Sequence, residues 1–299
     1  GGTRDMGLSH ELQNRHWMYL NGVIMVSPAD YKLFEDGDAV NSSLHLPYYT
    51  ATAWYHKALN EKLQSKDLYE ILPEVEDFTI NELIPAIAKG GFISDSEKNK
   101  IADKYSFYSG LSKDFVMNNN LDIPNNYFWK ELLRDKNGLT VGRLDSRYRG
   151  IDKRVAGSSP DTNIELNSWN HSFTPAINYY VKNELKFETD IKYNVFGPVH
   201  PWDRENDNTR ENLRKAMAQN PFLKVFIQSG YYDGATNYFQ AKYTMWQVDP
   251  SGKMKDRFYF EGYRSGHMMY LRSEDLKKSN DDLRDFIKNS STNGMPAKY

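Results

Sequence analysis

Three short apolar runs interrupt an otherwise polar chain, and each predicts a buried strand. The runs are Val23–Val26, Leu223–Ile227 and Phe258–Phe260. Continuous apolar runs without polar alternation are typical of strands that are covered on both faces of a parallel sheet. A helical pattern from Arg4 to Tyr19 leads almost directly into the first run, and Asn21-Gly22 is expected to end that helix. The chain is therefore expected to begin with a helix followed by a parallel strand.

The stretch from about Pro28 to Trp169 has a helical and irregular pattern instead. Its clearest periodicity predicts one amphipathic helix whose apolar face holds Ala51, Trp54, Ala58, Leu59 and Leu63. Ser94, three residues before Glu97, predicts a helix start, and Phe128–Leu133 predicts a further short helix. A helical stretch between strand-bearing segments is expected to be an insertion.

Helices and strands alternate again after this stretch. Thr174-Pro175 has the residue types of an N-cap and a first helical position, so a helix is expected to start there. Asn208 is expected to cap the next helix. The segment Ser273–Ile287 predicts a closing helix with inward-facing Leu276, Leu283 and Phe286.

These patterns predict an α/β fold in three parts. Residues 1–30 are expected to form a core helix and strand, and residues 31–170 a mainly helical cap or insertion, named the helical cap. Residues 171–299 are expected to complete the core.

Charge and composition narrow the possible partners. The 299 residues include 38 basic and 40 acidic side chains, for a net charge of −2, so no overall attraction to nucleic acid is expected. No apolar run approaches the ~20 residues that cross a bilayer, so no membrane partner is expected either. The absence of cysteine excludes disulfides, thiolate metal sites and a cysteine nucleophile.

Asp233 is the first candidate for chemistry. It follows the predicted strand Leu223–Ile227 in the sequence Gly230-Tyr-Tyr-Asp-Gly. Ligands and catalytic groups gather where strands of an open parallel sheet end, so the position favours a functional carboxylate. A helix is expected to open near Thr236, and a purely structural role as its cap is the alternative.

His267 follows the next predicted strand in the same way, within Gly266-His-Met-Met-Tyr270. Histidine titrates near neutral pH, so a loop histidine at this edge suits a general base, although an isolated histidine is more often only a polar surface residue. Asp233 and then His267 reproduce the Asp…His half of the Ser…Asp…His order of α/β-hydrolases. The Gly-x-Ser-x-Gly nucleophile motif of that fold does not occur in the sequence.

Several motifs together resemble the bacterial branch of the serine carboxypeptidase family. They are the initial Gly-Gly-Thr-Arg, Leu46-Pro-Tyr-Tyr-Thr-Ala-Thr-Ala-Trp54, Thr140-Val-Gly-Arg-Leu-Asp-Ser-Arg-Tyr148, Gly230-Tyr-Tyr-Asp-Gly-Ala-Thr236 and Gly266-His-Met-Met-Tyr270. The family's nucleophile lies in Gly-Glu-Ser-Tyr-Gly, and Gly1 matches the closing glycine. The resemblance therefore implies the C-terminal portion of an α/β-hydrolase fold with a helical cap insertion.

The same resemblance implies the roles of the residues and the partners. Asp233 would be the acid and His267 the general base of a serine-type carboxypeptidase, with a peptide as substrate. The nucleophilic serine would lie outside this chain, in a missing N-terminal half on the same polypeptide or on a second chain. This chain alone is expected to be inactive, and a secreted or periplasmic location is implied.

The predicted sheet independently indicates that something further pairs with it. In an α/β-hydrolase, the strand after the nucleophile helix pairs with the strand before it, so Val23–Val26 would otherwise have an open edge. Three strands are also few for a doubly covered sheet. The chain is therefore expected to be one piece of a larger polypeptide or to pair with a second chain.

The remaining candidates concern substrate contacts and cofactors. Tyr232, Trp202 and Met268 are candidate substrate-binding residues. A polar group within the segment 140–148 is expected to form a buried ion-pair turn or to line the substrate entrance; its members are Arg143, Asp145, Arg147 and Tyr148. No cofactor or metal is expected, since the other histidines lack metal-ligand spacing; they include His10, His16, His45, His56 and His171.

Two other functions remain open on the sequence alone. An esterase or acyltransferase would use the same fold and triad, because neither determines the acyl group or its acceptor. A non-catalytic binding protein that has lost the nucleophile is the alternative from a different class.

Overall fold

A small parallel sheet joins the two ends of the chain. The computed structural model describes residues 1–29, 38–191, 193, 194, 197, 208–292 and 294–296. Its strands are β1 (Gly22–Val26), β2 (Thr140–Val141), β3 (Arg149–Gly150), β4 (Lys224–Gly230) and β5 (Phe258–Tyr263). The parallel sheet has the order β1-β4-β5, and β2 and β3 form a separate antiparallel pair. The chain is thus a mixed α/β protein, as predicted.

All three predicted strands are confirmed, but they are covered differently. The central strand β4 is buried from Val225 to Gly230, as expected for a strand between two neighbours. In β1 the side chains alternate: Val23 and Met25 are buried, whereas Val26 is 45% exposed. The expectation of two covered faces is therefore wrong for β1. Among the described residues β1 pairs only with β4, so its other edge is open.

Helices make up most of the remaining structure. Those of the first part and the helical cap are α1 (Gly2–His16), α2 (Ala39–Ser43), α3 (Leu46–Tyr55), α4 (Glu61–Gln64), α5 (Leu68–Phe78), α6 (Ile84–Ile87), α7 (Asp95–Ser109), α8 (Lys113–Asn118), α9 (Asn125–Glu131) and α10 (Arg134–Asn137). The later ones are α11 (Ile164–Tyr179), α12 (Thr209–Gln219), α13 (Tyr238–Val248) and α14 (Ser273–Ser290). Short π-helical turns cover Thr79–Leu83 and Tyr180–Glu184, and 3₁₀ turns cover Gly90–Phe92, Lys255–Arg257 and Met269–Leu271.

The first helix ends earlier than its pattern predicts. Trp17 adopts the left-handed conformation with φ of 55°, and its N–H bonds the carbonyl of Leu12. This C-cap stops α1 at His16, before Asn21-Gly22. The helix precedes β1 and packs on α12, so the two helices cover the same part of the sheet.

The single helix predicted around Ala51–Leu63 is two helices. Lys57 has φ of +55°, which a helix interior does not allow, and Asn60 then caps α4 by accepting from the N–H of Leu63. The predicted cap at Ser94 is confirmed, since its side chain accepts from the N–H of Glu97.

The helix start predicted at Thr174-Pro175 is wrong. Both residues lie inside α11, which runs unbroken from Ile164 to Tyr179. Proline inside a helix leaves the carbonyl four residues earlier, here that of His171, without its usual partner. His171 lies on the exposed face of the helix. The predicted division at 170/171 consequently falls within α11.

The buried side chains form three groups that tie the parts together. The largest lies within the helical cap, between Leu46 and Val141. A second packs α1 and α12 against the sheet and includes Met6 and Leu213. The third joins residues after β4 to the helical cap; its members are Leu44, Ala51, Leu68, Leu72, Tyr232, Tyr238 and Phe239.

The closing helix α14 faces the sheet with fewer residues than predicted. Phe286 is buried, but Leu276, which was expected to face inward, is 44% exposed. Within the described part of the chain, no helix combines the length and apolar character needed to span a membrane.

Candidate active site

The loops that follow β4 and β5 meet at the carboxyl edge of the sheet. Gly230 ends β4 and lies so close to the carbonyls of Ser265 and Gly266 that any Cβ at residue 230 would collide with them. The N–H of Tyr232 donates to the carbonyl of Ser265 at 3.0 Å. Parallel neighbouring strands deliver their following loops to one edge, and this contact fixes the two loops against each other.

Asp233 and His267 lie in hydrogen-bonding contact across these loops. Nδ1 of His267 is 2.8 Å from Oδ2 of Asp233. Asp233 is fully buried, whereas the side chain of His267 is 35% exposed. No group of the described residues is hydrogen-bonded to Nε2 of this ring. The predicted juxtaposition of the two side chains is therefore confirmed, and the pair presents one ring nitrogen outward.

Four donors surround the carboxylate of Asp233. Oδ1 accepts from the N–H groups of Ala235 at 2.8 Å and Thr236 at 3.0 Å. Oδ2 accepts from the hydroxyl of Thr236 at 2.7 Å and from His267. The four donors fix the orientation of the carboxylate, so that Oδ2 faces the ring of His267.

The alternative structural role for Asp233 does not match the geometry. Helix α13 begins at Tyr238, and its N-cap is Asn237, whose side chain accepts from the N–H of Gln240 at 2.8 Å. Apart from its bond to His267, the carboxylate of Asp233 accepts from Ala235 and Thr236 in the turn that precedes this cap.

The bond to Asp233 raises the pKa of His267 above its ordinary value. Burial and the positive charge of Arg143 act in the opposite direction but are outweighed. The net effect favours a ring that accepts a proton readily. The chemistry that this arrangement supports is proton transfer at Nε2 by an oriented imidazole.

Two residues that the sequence patterns did not single out connect this pair to the first strand. The hydroxyl of Thr236 lies 3.2 Å from Nδ1 of His267 and 3.3 Å from the carbonyl of Ser27, just after β1. The Ser27 hydroxyl donates to the carbonyl of His267 at 2.9 Å, although Ser27 has an unfavourable φ of 45°. A threonine three residues after an aspartate was the available signal for Thr236.

A turn from the helical cap, residues 143–146, is hydrogen-bonded to both loops. The carbonyl of Arg143 accepts from the N–H of Gly234 at 2.9 Å. The carbonyl of Leu144 accepts from the N–H of His267 at 2.7 Å. The backbone of the 143–146 turn therefore positions Gly234, which directly follows Asp233, and His267 itself.

The 143–146 turn is in turn held by buried carboxylates. Glu165, fully buried on α11, accepts from the N–H of Leu144 through Oε1 at 2.7 Å, while its Oε2 has no hydrogen-bond partner among the described residues. Asp145 binds Arg147 through two contacts of 2.9 and 2.6 Å. The predicted ion-pair turn is thus present for Asp145 and Arg147, while Arg143 remains outside it. No local sequence signal marks Glu165.

The predicted substrate-binding residues are placed differently from one another. Tyr232 is only 2% exposed and packs between Tyr55 and Arg147, so it offers no free ring face. Met268 is half-buried and adjoins His267. Trp202 lies outside the described residues.

No protein-family model, curated protein or solved structure matches this chain.

Proposed function

We propose that this chain carries the acid and the general base of a serine-type carboxypeptidase. Such an enzyme hydrolyses peptides from the C-terminus by acyl transfer. The observation that carries the proposal is the 2.8 Å contact between Oδ2 of Asp233 and Nδ1 of His267, on a ring whose other nitrogen is unpaired within the described structure. The motifs around both residues, which resemble those of the serine carboxypeptidases, supply the substrate class.

The roles follow from the two ring nitrogens of His267. Nδ1–H donates to Asp233, so Nε2 is the nitrogen that accepts a proton. Nε2 takes the proton of a serine hydroxyl as the oxygen attacks the substrate carbonyl, and it returns the proton to the leaving amine. Asp233 holds the tautomer and stabilises the imidazolium.

The nucleophile belongs, in this proposal, to polypeptide outside the 299 residues. No serine of the described residues is hydrogen-bonded to Nε2, and Ser27 bonds the His267 carbonyl rather than the ring. The open edge of β1 fits a further strand beside it, which an N-terminal half of an α/β-hydrolase fold would contribute. The helices of residues 31–170 would then be the cap of that fold. By the same resemblance, the protein is proposed to be secreted or periplasmic.

A fluorophosphonate probe tests this proposal, because it labels only serines that a general base activates. The probe is applied to the polypeptide that joins this chain to its proposed N-terminal half. We expect labelling of the wild type, and for His267→Ala a rate roughly 10²–10⁴-fold lower. His171→Ala, on the exposed face of α11, is the matched control and should label normally. Labelling that ignores His267→Ala would refute the proposed base.

The substrates that the complete protein hydrolyses then distinguish a carboxypeptidase from an esterase and from a non-catalytic binding protein. A carboxypeptidase releases the last residue of a peptide with a free C-terminus, whereas an esterase acts on esters and leaves such peptides intact. A complete protein with a substituted serine would neither label nor turn over either substrate, and it would support the binding-protein alternative.

A further inference from the structure

The peptide group that joins Arg143 to Leu144 is hydrogen-bonded on both sides. Its N–H donates to Oε1 of Glu165 at 2.7 Å, and its carbonyl accepts from the N–H of Gly234 at 2.9 Å. Hydrogen bonds in such a chain polarise one another, so a carboxylate at one end strengthens the bond at the other end. Glu165 is therefore connected, through one peptide group, to the residue that directly follows Asp233.

The 143–146 turn is also hydrogen-bonded to the loops at two further points. The carbonyl of Leu144 accepts from the N–H of His267 at 2.7 Å, and the N–H of Ser146 donates to the carbonyl of Tyr232 at 2.9 Å. A Cβ at residue 266 would collide with the carbonyl oxygen of Leu144, so the turn packs directly on the loop after β5. Displacement of the turn would therefore displace the backbone of His267.

The carboxylate of Glu165 is buried without a positive partner. The residue is fully buried, no side chain that the structure describes forms an ion pair with it, and its Oε2 accepts no hydrogen bond from these residues. It lies in the first turn of α11, where the helix dipole favours a negative charge. A buried carboxylate with a single hydrogen bond costs folding free energy that an apolar side chain of similar size would not. Packing alone therefore does not account for a carboxylate at this place.

We propose that Glu165 is a positioning residue of the acid–base pair, on which it acts through the peptide group between Arg143 and Leu144. The inference rests on the proposed function and adds a residue of the helical cap to the groups that orient the pair. The carboxylate holds that peptide group in the orientation in which the two carbonyls of the turn face the two loops. Without it, Asp233 and His267 lose the common support that sets the distance between Oδ2 and Nδ1.

Amide hydrogen exchange followed by NMR tests this role in the 299-residue chain. The N–H groups of Gly234 and His267 report on the bonds to the turn, and the N–H of Ile227, in the central strand, reports on global unfolding. Glu165→Gln keeps an acceptor but removes the charge, whereas Glu165→Met removes both. Glu184→Gln, in the exposed π-helical turn that follows α11, is the matched control.

We expect Glu165→Met to accelerate exchange at Gly234 and His267 roughly 10–100-fold more than at Ile227, as loss of a hydrogen bond to a charged group implies. Glu165→Gln should fall between Glu165→Met and the wild type, because its amide oxygen still accepts. Glu184→Gln should match the wild type. If Glu165→Met does not fold, Glu165→Gln decides alone, and its effect must still be larger at Gly234 and His267 than at Ile227.

The pKa of the His267 ring, followed by NMR titration of the same proteins, separates position from charge. The charged groups that act on this ring are Asp233, which raises its pKa, and Arg143, which lowers it. Loss of the charge of Glu165 alone would change the pKa equally in Glu165→Gln and Glu165→Met. Loss of position weakens the bond to Asp233, so the pKa should fall further in Glu165→Met and be largely restored in Glu165→Gln.

An equal gain in exchange rate at all three amides would overturn the inference, because Glu165 would then contribute only to overall stability. Equal pKa changes in the two variants would overturn it as well. Neither result affects the proposed function, which depends on whether fluorophosphonate labelling requires His267. If labelling ignores His267→Ala while exchange responds as expected, the peptidase is refuted and Glu165 remains the support of a pair with another function.

Discussion

Asp233 is completely buried, yet its carboxylate contacts the half-exposed ring of His267 at 2.8 Å. The contact raises the pKa of His267 above its ordinary value of 6.5, mainly through the hydrogen bond itself. A general base must be neutral to accept a proton, so the raised pKa moves the working range of this histidine to higher pH.

The pH dependence of labelling is therefore a direct test of the pair. We expect the rate of fluorophosphonate labelling of the complete protein to rise with pH, with a midpoint above 6.5. In Asp233→Asn the midpoint should fall, because the negative partner is gone, and the rate at high pH should drop by roughly 10⁴-fold. An unchanged midpoint in this variant would mean that Asp233 does not govern the titration.

The same pair affects stability with a defined sign. A histidine whose pKa is raised by folding stabilises the folded state fully below the unfolded pKa, and this contribution disappears as pH rises through the folded value. Denaturant unfolding should show that the difference between wild type and Asp233→Asn is larger at about pH 5.5 than at about pH 9, values chosen on either side of that window.

Thr236 is expected to act as a positioning residue. Thr236→Val keeps the shape but removes the hydroxyl that donates to Oδ2 of Asp233. Loss of a hydrogen bond to a charged group should lower the free energy of unfolding by about 2 kcal/mol and shift the labelling midpoint. Thr236→Ser retains the hydroxyl and should restore the midpoint. If valine and serine variants share the wild-type pH profile, the threonine has only a packing role.

A substitution at Gly234 tests how closely residues of the helical cap approach the loop that carries Asp233. A Cβ at residue 234 would collide with the hydroxyl of Tyr48 and lie 2.9 Å from Nε1 of Trp129, two buried and mutually bonded groups. Gly234→Ala should cost about 1–3 kcal/mol of unfolding free energy and reduce labelling. Gly91→Ala meets no atom within 4 Å and serves as the control, with an effect within about 0.5 kcal/mol.

We expect the buried ring of His45 to make the folded protein less stable in mild acid. Burial lowers the pKa of this ring to about 4, and its Nδ1 has no hydrogen-bond partner in the part of the chain that the structure describes. Because the unfolded chain binds the proton near pH 6.5, stability should fall as pH drops from about 6.5 to 4, by on the order of 3 kcal/mol. His45→Phe should remove that part of the acid sensitivity. Parallel pH curves for the two proteins would contradict the assignment.

We expect substitutions of the buried pair Lys130 and Asp152 to have strongly non-additive effects on the free energy of unfolding. Their side chains are 2% and 3% exposed and 2.5 Å apart. Lys130→Met leaves an unpaired buried carboxylate and should cost about 3–5 kcal/mol of unfolding free energy. Adding Asp152→Asn, which still accepts hydrogen bonds, should recover more than half of the loss. Simple addition of the two single effects would argue against their coupling.

The strands and the pairing of Asp233 with His267 followed from local patterns. Each apolar run is a strand within a few residues, because a short apolar run between polar segments packs at least one of its faces into the core. Parallel strands then bring their following loops to one edge. The end of α1 could not be predicted from the sequence. Its left-handed terminal residue is Trp17, whereas the residue that usually marks such a helix end is glycine.

The groups that hold the loops of the site in place could not be predicted from the sequence, for a different reason. The carbonyl of Leu144 contacts the loop of His267, and the buried carboxylate of Glu165 holds Leu144 in turn; both come from distant parts of the chain. Backbone carbonyls have no sequence signature, and a single glutamate on a helix ordinarily suggests solvent. Likewise, Pro175 suggested a helix start, whereas the exposure of α11 lets it sit in the interior of the helix.

The hydrogen bonds from Gly234 and His267 to the 143–146 turn limit how this protein can be redesigned. Exchange of the helical cap for another one would remove the two main-chain acceptors that hold the loops of Asp233 and His267. A chimera would have to keep the backbone path of residues 143–146, and Glu165 that holds it, to preserve the contact between Asp233 and His267. Changes in specificity are then expected in the parts of the helical cap that lie away from the 143–146 turn.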